Sequence, residues 1–461
     1  MSSENRFPNA LYTKSDIQTL FETLSQSISN PETEALTLSL QGEDTLYLRF
    51  NQGKVRQVGT IRLLRTSLTL QLRASPTFPI REATRTTELT GDLHTDQSHL
   101  KEVLLHLRRE AEQTPENPYA AWPEGNAQSE AKSFGSHLPL EQAAKELLTP
   151  AQGLDFTGIA ASGTLLRVVA TSTGIFHYFA TSQSTVDYSV VSSRGKAVKG
   201  EWASRDWNAE AFAQKLNEAK KILPILEKTP RSLPRGEYRS YLNPAAVADL
   251  IAMFSWGTLS EASIQQGDSA LQQVRQGKQP GFSPLFYLTE DFQDGSIPAF
   301  NERGELAPSS LPLIEAGQLK NTLINTRSAR EYQLISNGAN TTESLRSPRV
   351  AAGTLASHHT LSTLGTGLWL SNLHYLNWSD QSQGRMTGMT RHACLWVEDG
   401  EPVAPIESLR FDDTLFRLLG SELEALTLER EALPDTDTYQ TRKPGMTVVP
   451  GALVRSMRFT L

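Results

Sequence analysis

In ALTLSL (residues 35–40) and TLYLRF (residues 45–50) every second side chain is apolar, and strand-like patterning continues through GKVRQVG and TSLTLQLRA. Period-two alternation suits a pleated strand with one buried face, so most of the first 75 residues must enter antiparallel sheet. The polar QGED between the first two runs predicts a hairpin. A short helix precedes them, with Ile17, Leu20, Phe21, Leu24 and Ile28 on one face. A second is expected from about Ser98 to Glu112, with Leu100, Val103, Leu104 and Leu107 on its apolar side. Residues 114–138 are rich in Pro, Gly, Ser and Asn and read as an exposed connection.

LEQAAKELL reads as a further helix, and residues 163–193 as two or three antiparallel strands rich in β-branched and aromatic residues. Phe212, Leu216, Ala219 and Leu223 mark another helix, which Pro224 is expected to break. The proline-rich, charged EKTPRSLPRGEYRSYLNP then reads as a domain boundary. Beyond it lie many short strands separated by Gly, Asn, Asp and Pro. The expected fold is α+β: an N-terminal mixed α/β domain (1–230) followed by a β-rich antiparallel C-terminal domain (231–461).

The second half opens with a helix predicted over Ala246–Leu271, in which Asn243 can cap and Pro244 suits the first position. Val247, Leu250, Ile251 and Phe254 recur on one apolar face. The segment carries no His or Cys, and its acids are Asp249, Glu261 and Asp268.

Familiar chemical signatures are missing from the whole chain. There is no G-x-S-x-G elbow, no Walker loop and no G-x-G-x-x-G after a strand. His392 and Cys394 would share one face of a strand, but nothing nearby completes a zinc site. His358 and His359 would point to opposite sides of a strand, while His94 and His99 read as surface residues. The acidic LTEDFQDG and WVEDGEP read as turns. A net charge of −7 argues against nucleic-acid binding, and a single cysteine excludes an internal disulfide. With no apolar leader and no long apolar run, a cytoplasmic protein without membrane contact is expected, so the sequons at Asn340 and Asn377 carry no weight.

Three stretches of the second half carry a resemblance. They are LIEAGQLKNTLINTRSAREYQLISNGANTTE, GTGLWLSNLHYLNWSDQSQGRMTGMTRHACLWVEDGEPVAPIESLRF and RKPGMTVVPGALVRSMRFTL. In their motifs and the order of those motifs they resemble the TldD/PmbA family, once called modulators of DNA gyrase. TLYLRFNQGKVRQ and VVATSTGIFHYFAT are weaker echoes of its N-terminal domain. The resemblance implies a two-subunit metallopeptidase in which the TldD-type chain carries zinc on H-E-x-x-x-H plus a later cysteine. The TldE/PmbA-type chain lacks those ligands.

Matching QGDSAL to the family's glycine–serine pattern brings Met253, Phe254, Ser255, Trp256 and Gly257 onto the metal helix. Met253 and Gly257 would stand at histidine positions and Phe254 at the glutamate. None can serve, and H-E-x-x-x-H occurs nowhere in the chain. Met253, Phe254, Trp256 and Gly257 are therefore expected to line a cleft without catalytic residues, metal or cofactor. The resemblance implies a TldE/PmbA-like partner that joins a TldD-like zinc subunit, as a heterodimer or larger, and holds extended or unfolded peptide. The alternative is a homodimeric peptide-binding scaffold without proteolytic activity; an enzyme independent of metal finds no support in the motifs. The polar SDQSQGRMTGM and the bulk of Trp256 depart from the pattern and favour a divergent paralogue.

Overall fold

A computed structural model describes residues 12–138 and 142–460. Two sheets organise it. The first contains β1 (Glu34–Asn51), β2 (Lys54–Leu72), β3 (Arg81–Leu89), β4 (Gln128–Ser133), β5 (Asp155–Thr171), β6 (Phe176–Val191) and β7 (Ala197–Ser204). Its order is β3-β2-β1-β5-β6-β4, with β7 also paired to β6. All pairs are antiparallel except β4 with β6.

Parity along the strands explains the packing. Leu36, Leu38, Leu40, Leu46, Leu48 and Phe50 of β1 all share one face, as period two requires, and all are buried. Helices α1 (Lys14–Ser25) and α2 (Leu93–Gln113) cover one end of that face. Helices α3 (Ala143–Leu148) and α4 (Ala209–Leu226) cover the other. The opposite face carries Glu43, Thr45, His177, Thr181, Gln183 and Thr185, also buried, and meets the second half of the chain.

The second sheet runs from β8 (Gly236–Leu242) through β9 (Leu288–Asp291), β10 (Ser310–Glu315), β11 (Gln318–Leu319) and β12 (Pro348–Val350). It continues with β13 (Gly367–Leu370), β14 (Asn372–Asp380), β15 (Arg385–Arg391), β16 (Leu395–Glu398) and β17 (Glu401–Pro405). The final strands are β18 (Arg410–Thr414), β19 (Leu423–Pro434) and β20 (Met446–Phe459). Strand β20 is the hub, pairing with β8, β12, β18 and β19. The architecture is α+β with a β-rich C-terminal region, as the alternation implied.

Several local expectations fail for identifiable reasons. QGED is no hairpin: β1 runs straight through it, and a Cβ on Gly42 would sit 3.0 Å from Leu166 Cβ of the neighbouring strand. The turn instead falls at Gln52–Gly53, both with positive φ. Pro224 lies inside α4 and does not end it, because Leu226, fully buried, anchors the last turn. Helix α2 starts five residues early, capped by Asp92 through the Thr95 N–H at 2.8 Å. The connection 114–138 contributes β4.

The helix expected over Ala246–Leu271 is broken. Helix α5 spans Pro244–Ala252, Met253–Ser255 tightens into a 3₁₀ turn, and Gly257 takes φ +85°. Thr258 Oγ1 then donates to the Met253 carbonyl at 3.1 Å. Ser260 caps the short α6 (Glu261–Gln266), and α7 (Leu271–Arg275) follows. A glycine in the left-handed region is the usual way to end a helix, so the sequence signal was present inside the segment. Pro244 stands at the helix start, but Asn243 makes no side-chain cap bond. Elsewhere α8 (Thr326–Tyr332) and α9 (Thr360–Leu364) complete the helices named here. Among the described residues no helix is long and apolar enough to cross a membrane.

Candidate functional site

Helix α5 has two faces. Ala246, Val247, Leu250 and Ile251 enter the main core of the second half. Ala245, Ala248, Asp249 and Ala252, at i, i+3, i+4 and i+7, line a cavity of about 400 Å³. Three methyl groups and one carboxylate leave room there, where larger side chains would fill the space. Glu201 of β7, Ser255, Asn372 of β14 and the 433–436 segment complete the wall, which both halves of the chain therefore build.

The cavity opens into two neighbours. Glu201, Ala245, Asn372 and Leu433 also line a pocket of about 230 Å³ beside Lys199 and Trp369. Leu345, Arg346, Asp435 and Gly445 are shared with a furrow of about 500 Å³ that passes Asn301, Tyr439 and Lys443. Together they form a continuous groove between the first sheet and α5.

Its electrostatics are set by burial. Enclosure pushes the Asp249 carboxyl up to about 7, against the pull of the Leu373 N–H, which donates to Oδ2 at 2.9 Å. Burial also raises Glu201. The ammonium of Lys199 acts on both carboxyls but is committed to Asp187 in an ion pair. The Arg346 guanidinium turns away to the carbonyls of Phe300 and Gly338, both at 3.0 Å. Neither Asp249 nor Glu201 thus has an ion-pair partner among the described residues.

The residues singled out from the sequence scatter. Met253 and Phe254 do not line the groove; both are buried in the core, Phe254 against Phe282 and Phe286. Trp256 is half exposed, and its carbonyl accepts the Trp378 indole N–H at 3.2 Å. Gly257 forms the turn, where a Cβ would come within 2.7 Å of Gln381 Nε2. A six-residue motif that ends at Gly257 begins at Ala252, whose methyl does face the cavity, and not at Met253. The residues in this register, Ala252, Met253 and Gly257, do not fit a zinc ion. Among the described residues no three His, Cys, Asp or Glu side chains converge on a metal position.

His392 and Cys394 are not strand neighbours on one face. His392 takes φ +61° in a turn whose carbonyl accepts the Cys394 N–H at 2.9 Å, and β16 starts only at Leu395. Burial, with Arg391 and Lys199 nearby, pulls the His392 imidazole down to about 4, and burial pushes the Cys394 thiol up. Ser357–His359 form a 3₁₀ turn rather than a strand. His94 and His99 both lie within α2, where His99 meets Thr87 Oγ1 at 2.9 Å. The groove's own polar residues, Asp249, Glu201 and Asn372, received no role from the sequence. The alanine spacing around Asp249 was the available signal. Glu201 had none, because only the fold brings β7 to α5.

Residues 235–461 match the family model of the PmbA/TldA metallopeptidase C-terminal domain. No curated protein sequence matches the chain. Solved structures share its fold at low identity. A Thermotoga maritima protein named as a modulator of a DNA gyrase superposes with a TM-score of 0.72 at 15% identity, covering 97% of this chain and 100% of its own. TldE from Thermococcus kodakarensis gives 0.71 at 12%, covering 97% and 100%. A Bacteroides thetaiotaomicron protein, likewise named as a modulator of DNA gyrase, gives 0.69 at 12%, covering 97% and 98%. Residues 235–461 are therefore a PmbA/TldA-family C-terminal domain, and nearly the whole chain shares the fold of these structures.

Proposed function

We propose that the chain is the TldE/PmbA-type subunit, without metal, of a two-chain TldD-type zinc metallopeptidase in the cytoplasm, holding extended peptide in the groove beside α5. Residues 1–230 and 231–461 would act as its two domains, with the groove at their junction. The observation that carries the reading is the cavity face of α5. Ala245, Ala248, Asp249 and Ala252 offer space and polarity, with no imidazole or thiolate for a zinc ion. The likeness to TldE supports the fold side of the reading. Among the described residues strand β14, whose Asn372 enters the groove wall, pairs only with β15, which leaves a strand edge of the kind that binds extended peptides through main-chain groups.

The test is to purify the chain alone and together with the TldD-like subunit of its own organism, then to measure zinc content and cleavage of unfolded casein. The chain alone should be zinc-free and inert, and the pair active. A stable homodimer that takes up no such subunit would overturn the reading in favour of a scaffold. Stoichiometric zinc in this chain alone would overturn it outright.

A further inference from the structure

We propose that the unpaired stretch of β2, Lys54–Leu63, docks an extended acidic strand of a partner chain, which adds to the first sheet along that edge. The inference names a partner-facing surface for the two-chain reading and rests on that reading for the identity of the partner.

Strand β2 is longer than its outer neighbour. β3 pairs with it only from Leu64 to Leu72, and among the described residues no strand takes the same edge from Lys54 to Leu63. Every residue of Lys54–Arg62 is exposed. A free edge offers a row of main-chain donors and acceptors to any extended segment. Apolar side chains flank it on both faces. Val58 lies beside Leu48, which is buried, yet Val58 itself is 57% exposed. Ile61, on the other face beside Thr45, is 47% exposed. A strand added along β2 would cover both, one on each face of the extended sheet.

Charge selects the occupant. β2 carries Lys54, Arg56, Arg62 and Arg65 and no acid, in a chain whose net charge is −7. Lys54, Arg56 and the neighbouring Arg49 of β1 have no ion-pair partner among the described residues, and Arg62 meets Asp44 at 3.4 Å. Arg49 and Arg56 also line an open cavity of about 640 Å³ with Thr157 and Ile159, where the one acid, Asp187, is held by Lys199. Glutamate or aspartate on the incoming strand would meet these cations, which steer and orient an association more than they strengthen it. A second copy of this chain fits poorly. Two-fold pairing is antiparallel, and centred on Val58 it sets Lys54 opposite Arg62, a like-charge pair that destabilises a sheet. Single-stranded nucleic acid fits poorly too, because β2 has no aromatic side chain on which a base could stack.

The experiment uses the full chain with the TldD-like subunit of its own organism. Amides on a free edge exchange with solvent until a strand covers them, so hydrogen–deuterium exchange across Lys54–Leu63 should slow on pairing. Lys54→Glu combined with Arg56→Glu should weaken pairing about tenfold or more by calorimetry, and raised salt should weaken the wild-type pair. Lys278→Glu combined with Lys320→Glu, the same change of charge at two other exposed lysines, should leave pairing as it was. Thermal melting checks that the variants fold. A pair that forms with unchanged exchange at Lys54–Leu63, that tolerates Lys54→Glu with Arg56→Glu, or that weakens equally in the control would overturn this inference and leave the two-chain reading standing. A chain that joins no such subunit would overturn both. Protection of Lys54–Leu63 by a second copy, or by an oligouridine in place of the subunit, would overturn the acidic partner.

Discussion

The Asp249 carboxylate accepts the Leu373 N–H at 2.9 Å, and this bond joins the cavity side of α5 to the first residues of β14. It holds an acid where the folded protein favours the protonated form. The consequence for stability has a definite sign. In the unfolded chain Asp249 ionises near pH 4, and in the folded protein near 7. Between these values the folded state binds the extra proton, so stability falls as pH rises, by on the order of 4 kcal/mol in all. Glu201, also raised, adds in the same direction, and Lys199 opposes both. Asp249→Asn should flatten the stability profile between pH 4 and 7 and raise the urea midpoint at pH 8. A midpoint at pH 8 that drops instead would mean the charged carboxylate stabilises the fold.

Phe254 and Trp256 are two residues apart and should behave oppositely. Phe254 is fully buried among Phe282 and Phe286, so Phe254→Ala should cost about 3–5 kcal/mol. Trp256 is 53% exposed, and Trp256→Ala should stay within about 1 kcal/mol. Chemical denaturation of both variants measures the difference.

Gly257 gives a test of the broken helix. In a continuous helix, Gly→Ala would stabilise by about 1 kcal/mol. At φ +85°, with Gln381 Nε2 2.7 Å from the new methyl, Gly257→Ala should instead destabilise by about 1–2 kcal/mol. The melting temperature reads the sign directly.

Arg442 pins the segment before β20 to the first sheet. Its backbone N–H donates to Glu43 at 3.0 Å, and its guanidinium donates to Thr45 Oγ1 at 3.2 Å and the Gln183 carbonyl at 3.0 Å. Arg167 donates in turn to the Arg442 carbonyl at 2.6 Å. Arg442→Ala should cost on the order of 3 kcal/mol, since it leaves buried acceptors unmet. Limited proteolysis should then cut faster around Tyr439, which is exposed.

What was legible in the sequence was local and periodic. The even-numbered leucines of β1 share one face in the structure as the alternation requires, and α1 buries Ile17, Leu20, Phe21 and Leu24 as its spacing implies. What misled was residue type read without its neighbours. Gly42 and its acidic followers have turn composition, yet Gly42 is needed because Leu166 and Leu64 crowd it across the sheet. Pro224 has breaker chemistry, yet the packing of Leu226 outweighs it. The site was the hardest to read. The apolar face of α5 announced itself, while its alanine face looked like filler until β7 brought Glu201 alongside Asp249.

The place of β20 in its sheet also governs the order in which the protein can be made. Strand β8 leaves the ribosome some two hundred residues before its antiparallel partner, with Leu242 waiting for Ala452. Until β20 emerges, β8, β12, β18 and β19 all lack the neighbour that joins them, and their apolar faces stay open to water. The first sheet has no such debt, since β1 finds β2 and β5 within its own half. The nascent chain therefore carries a first half whose strands are already paired and a second half that is unclosed, and during that interval a chaperone has the most to cover.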